Sequence, residues 1–189
     1  MSSASVVMAQ LDYLILGYFV DSKLIGVYSV TYKIGVFVLF VASSVGAVIA
    51  PKFSKLYAKD DIAGLKNMLA TAIRMNILLT LPVVLVILIF KDYILGLFGS
   101  DFKIGTVSLL ILVFGQFVNA LTGPVGYLLS MTNYEKAVRN TTILACLANI
   151  VLNLLLIPKW GISGAAVASM VSIILKNLIN FWQVNRKLV

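Results

Sequence analysis

The sequence predicts an all-α integral membrane protein, a bundle of six transmembrane helices. Three observations predict it. Apolar residues make up 61% of the 189 positions and charged residues only 12%, against roughly 25% charged in a soluble domain. The apolar residues fall in long runs, each near the ~20 residues that a bilayer core requires. None of the runs alternates in polarity as the ~9–11-residue strands of a membrane barrel would.

The first span covers about 3–20 and is interrupted by Gln10 and Asp12. A tight polar turn, Asp21-Ser22-Lys23, leads into the second, about 26–50, which is expected to stop at Pro51. The third covers about 68–90 with Pro82 inside it. The fourth, about 104–131, is long enough to tilt or break, and Gly123-Pro124 is the expected break. The fifth and sixth cover about 138–157 and 162–182. Between the second and third spans, Phe53, Leu56 and Tyr57 share a helical face with lysines beside it, which reads as an amphipathic turn lying on the membrane surface. Asp60 or Asp61 then caps the helix that enters the third span. On the opposite side Gly99 is a helix stop, and Ser100 or Asp101 a start. The six spans together are read as a single unit over 1–189.

Basic residues orient the bundle. One set of loops, with its flanking helix ends, holds nine (Lys52, Lys55, Lys59, Lys66, Arg74, Lys136, Arg139, Arg186, Lys187); the other holds four (Lys23, Lys91, Lys103, Lys159). Lysine and arginine are retained on the inner side, so both termini are expected in the cytoplasm, with the chain in the plasma (inner) membrane. The net charge of +8 is spread between apolar runs and forms no patch for nucleic acid. Histidine is absent and Cys146 is the only cysteine, which excludes a disulfide framework and leaves no His/Cys metal site. The N-terminus lacks a basic stretch and a cleavage site. Its immediate entry into a span suggests a fragment of a longer protein or an internal start.

Charged and amide side chains inside a membrane face a bundle interior or a watery cavity and mark function by default. Asp12 and Lys33 flank the first turn at similar depth: at ~1.5 Å per residue, Asp12 lies about 13 Å below the turn and Lys33 about 10 Å below Gly26. They are expected to face a polar interior, as partners of each other, or else to sit near the interface and snorkel. In the sixth span Ser169, Ser172, Lys176, Asn180 and Gln183 recur at helical spacing on one face. Lys176 lies roughly 15 Å from the basic end, too deep for easy snorkelling. In the fifth, Asn149 and Asn153 are one turn apart and serve either as pathway groups or as interhelical glue. In the fourth, Gln116, Asn119 and Gly123 share a face leading into Pro124. Asp12, Lys33, Gln116, Asn119, Asn149, Asn153, Lys176 and Asn180 are the candidate substrate-pathway residues. An interior with two lysines and few acids favours an anionic substrate. No nucleophile–base set, phosphate loop or paired-carboxylate pattern is present, so no enzyme, cofactor or metal is expected.

The segments QLDYLILGYFVDSKLIGVYSVTYKI (10–34), APKFSKLYAKDDIAGLKNML (50–69), LFGSDF (97–102) and NIVLNLLLIPKWGISGAAVAS (149–169) together resemble the polysaccharide-export (Wzx-type) family of lipid-linked oligosaccharide flippases. That family lies in the multidrug/oligosaccharidyl-lipid/polysaccharide exporter superfamily. The resemblance is to its C-terminal six-helix lobe, one of two around a central cavity. It implies movement of an undecaprenyl-pyrophosphate-linked glycan to the outer leaflet. It further implies that Lys33, and then Asp12, meet that substrate, and that a second lobe or an identical copy is needed, since alternating access requires two halves. Two other readings compete: a small-molecule or cation exporter of the same superfamily, for which Asp12 is the only interior acid, and a non-transporting lobe that serves as an assembly partner.

Overall fold

A computed structural model describes residues 3–188, with side chains from Gln10 to Leu188. Every regular element among them is helical: α1 (Ser3–Phe19), α2 (Ser22–Tyr57), α3 (Ile62–Gly96), a 3-10 segment (Ser100–Gly105), α4 (Thr106–Thr122), α5 (Val125–Met131) and α6 (Glu135–Leu188). Four stretches are long and apolar enough to cross a membrane: Ser22–Tyr57, Ile62–Gly96, Ser100–Thr122 and Glu135–Leu188.

The 54 residues of α6 would extend about 80 Å if straight, far beyond a ~30 Å bilayer core. They do not run straight. Gly161 adopts φ 53°, ψ −131°, a region that essentially only glycine visits, and the helix folds back there into two arms. Gln183 Nε2 donates to Thr141 Oγ1 at 3.2 Å near their far ends, so the arms lie antiparallel along most of their length. Gly164 lets them close at the fold, since a Cβ there would collide with the Leu156 carbonyl oxygen.

The chain breaks between α4 and α5 at Gly123 (φ 70°) and Pro124, where proline removes a donor and glycine supplies the turn. Asp61 caps α3, its side chain accepting from Gly64 N at 2.7 Å. Gly99 (φ 126°) ends the turn after α3 and leads into the 3-10 segment.

Two sequence expectations are corrected. α2 does not stop at Pro51 but continues to Tyr57, since membrane helices tolerate proline where neighbours support the freed backbone groups. The support comes from Phe53, fully buried in a cluster with Leu65 of α3, Leu128 and Leu129 of α5, and Val184 and Leu188 of α6. The amphipathic face is corrected at Phe53, which is fully buried in this cluster, while Leu56 and Tyr57 pack half-buried against it.

Two further clusters complete the packing. Leu16, Val27, Tyr28, Leu112, Ile157 and Ile162 join α1, α2, α4 and both arms of α6 around the Gly161 fold. Val38, Val84, Ile87, Leu95, Leu109 and Val113 join α2, α3 and α4. Outside them Phe37, Phe40, Leu78, Ile89, Leu147 and Leu155 are exposed, as lipid-facing side chains should be.

Candidate functional site

Asp12 of α1 is fully buried. Its carboxylate accepts from Tyr28 Oη at 2.9 Å, Asn153 Nδ2 at 2.6 Å and Ser169 Oγ at 2.5 Å. The donors come from α2 and from the two arms of α6, so one side chain ties four helical segments together. The Gly161 fold makes this possible by setting Asn153 and Ser169 opposite each other. Asn153 Nδ2 also lies 3.2 Å from Asn149 Oδ1, one turn earlier on the same face. Tyr13, Tyr28 and Tyr32 pack around the acid with centroids 5.8–6.2 Å apart. A carboxyl group removed from water is costly unless hydrogen-bonded, and the three donors meet that requirement.

The expected Asp12–Lys33 pair does not form. Lys33 is exposed on α2, while Asp12 is enclosed by other partners. The reason is helical phase: at about 100° per residue, Lys33 lies roughly 140° around α2 from Tyr28, the residue that faces Asp12. Lys33 instead borders a groove of about 630 Å³ between α2 and α3, whose other walls are Val30, Ile34, Phe37, Pro82, Val83, Val86, Ile87, Ile94 and Phe98. It is the only charged residue there.

The remaining candidates fall on a second polar region. Asn177 Nδ2 donates to Asn119 Oδ1 at 2.7 Å, and Asn119 Nδ2 donates to Gln116 Oε1 at 3.3 Å, a chain that fixes α4 against the second arm of α6. Asn119, Lys176, Asn177 and Asn180 border a cavity of about 360 Å³ where α4 breaks into α5, together with Asn76 of α3, Thr142 of α6, and Tyr127 and Ser130. Gln116 is buried beside it and holds its wall.

The structure thus divides the eight candidates into three places: Asp12 with Asn149 and Asn153; Lys33 by itself; and Gln116, Asn119, Lys176 and Asn180 together. Tyr28, Asn76 and Asn177 were not singled out from sequence. Asn76 lies two residues after Arg74 and reads as part of that basic helix end; Tyr28 looks like any interfacial aromatic until Asp12 is placed beside it. Ser169 did belong to the polar stripe of the sixth span. Among the described residues no three His, Cys, Asp or Glu side chains gather to hold a metal. The Asp12 centre gathers one carboxyl group among amide and hydroxyl groups, with no second acid or base beside it among its hydrogen-bond partners.

The chain is 27% identical over 171 residues to "Probable low-salt glycan biosynthesis flippase Agl15" of Haloferax volcanii, covering 90% of this chain and 36% of that protein. It is 25% identical over 172 residues to "Probable flippase AglR" of the same organism, covering 89% and 36%. It is also 27% identical over 175 residues to "Uncharacterized membrane protein EpsK" of Bacillus subtilis, covering 90% and 34%. The chain therefore spans about a third of the length of the curated relatives it matches. No solved structure matches it. Residues 1–155, more than four-fifths of the sequence, match the family described as MatE: the chain belongs to the MatE family.

Proposed function

We propose that this chain forms one six-helix lobe of a membrane flippase that moves a lipid-linked oligosaccharide, carried on undecaprenyl pyrophosphate, from the cytoplasmic to the outer leaflet. The observation that carries the reading is Lys33. It stands about 10 Å along α2 from Gly26, exposed, at the edge of the apolar groove between α2 and α3. A lone cation beside an apolar groove of this size suits a ligand with an anionic head and a hydrocarbon tail. A resident phospholipid keeps its phosphate at the interface; a lipid whose head travels through the membrane brings its phosphate to this depth. One relative named as a glycan biosynthesis flippase and another named as a flippase support the same class. Lys33 would meet the pyrophosphate. The Asp12 centre would hold α1, α2 and α6 in register as the lobe moves. A second lobe, or an identical copy, would complete the pathway. The lobe would sit in the plasma membrane with both termini in the cytoplasm.

Complementation tests this. In a strain lacking its glycolipid flippase, the chain co-expressed with a matching N-terminal lobe should restore surface glycan, and Lys33→Ala should abolish restoration at equal expression. Restoration by the chain alone would identify a homo-oligomeric transporter. Failure of both, with expression confirmed, would overturn the glycolipid reading.

A further inference from the structure

The cavity beside Lys176 shares no lining residue with the Lys33 groove, and the function proposed above leaves it without a role. Its walls present hydrogen-bond donors that have no acceptor. Lys176 is half-buried and pairs with no carboxylate: among the described residues the ion pairs are Lys23–Asp101 and Lys91–Asp92. No acidic residue lines the cavity. Asn76 and Asn180 are each 2% exposed, their Oδ1 atoms are enclosed without partners, and neither Nδ2 takes part in a hydrogen bond of the described residues. An ammonium group and two carboxamides thus border one cavity within a largely apolar bundle. Charge in such a place is costly unless it is compensated.

We propose that this cavity is a binding site for a small oxyanion of the phosphate class. A tetrahedral oxyanion offers several acceptors at once, which suits three separated donor side chains better than a single-point halide does. Lys176 contributes the charge and three donors, Asn180 adds an N–H group from the same face of α6 one turn later, and Asn76 adds one from α3. The Asn177–Asn119–Gln116 chain keeps the neighbouring amides occupied and the wall rigid. The volume, about 360 Å³, equals roughly a dozen waters at ~30 Å³ each. That admits a phosphate group with part of its hydration and excludes an oligosaccharide. The group can be free inorganic phosphate or the phosphate of a lipid headgroup entering past Leu39, Ser43 and the part-exposed Tyr127.

Thermal unfolding of the whole chain in phosphate-free maltoside micelles tests this. Titrated inorganic phosphate should raise the midpoint by roughly 5–10 °C at a hundredfold excess over its dissociation constant. Sodium chloride at matched ionic strength should not. Lys176→Met should lose the shift and Lys33→Met should keep it. A second variant, Asn180→Asp, places a carboxylate in the cavity; it should raise the basal midpoint and remove the response to phosphate. If inorganic phosphate is silent but added phosphatidic acid raises the midpoint in a Lys176-dependent way, the oxyanion is a lipid headgroup. The proposal is overturned if neither probe shifts the midpoint, if chloride matches phosphate, or if the shift survives in Lys176→Met.

Discussion

Asp12 ties more helical segments together by side-chain hydrogen bonds than any other described residue, because its three donors lie on three different segments. Removing a donor and removing the acceptor should therefore differ. Tyr28→Phe deletes one hydrogen bond and keeps the ring packing, and should cost about 1 kcal/mol. Asp12→Leu strands three buried donors at about 1–3 kcal/mol each and should cost 3 kcal/mol or more. Denaturant unfolding in mixed micelles separates the two, and equal costs would mean that the carboxylate is not the organising group. Sequence alone brought Asp12 forward, because an acid inside an apolar run is rare. Its partners were not legible. Asn153 and Ser169 are 141 and 157 residues away, and no local spacing reports contact at that range. Lys33 was mispaired because depth can be counted along a helix, whereas phase requires knowing which face is buried.

At the scale of the helix, α6 depends on two glycines that act differently. Gly161 would meet only an ordinary contact at its Cβ position, Val20 Cγ1 at 3.8 Å, so Gly161→Ala should suffer mainly from its backbone conformation, about 1–3 kcal/mol. Gly164 is helical but faces backbone: its Cβ would press on the Leu156 carbonyl. Gly164→Ala must push the arms apart, and should also weaken the Gln183–Thr141 bond at their far ends. Thermal unfolding should rank Gly164→Ala as the more damaging, and a crosslink between positions 141 and 183 should weaken only in that variant. The helices were legible from hydropathy, since lipid exposure is set by local composition. The extension of α2 through Pro51 was not, since it rests on Phe53 packing against α3, α5 and α6, contacts that hydropathy does not encode.

For the whole molecule, the exposed lysine at mid-helix carries the clearest expectation. Lys33, exposed on α2, is unsuited to bare lipid, so the chain should self-associate in membranes when no partner lobe is supplied. Crosslinking in lipid should trap dimers through α2, and a matching N-terminal lobe should compete them away. A monomer in both detergent and lipid would remove this expectation. The bundle also sets a schedule for its own biosynthesis. At ~5–20 residues per second, Tyr28, sixteen residues after Asp12, emerges within about 1–3 s. Asn153 and Ser169, 141 and 157 residues after it, emerge only after roughly 7–30 s. During that interval the acid in α1 has a single native partner. Early release of α1 into lipid would strand it there, so α1 is expected to stay beside the insertion machinery until both arms of α6 have been made.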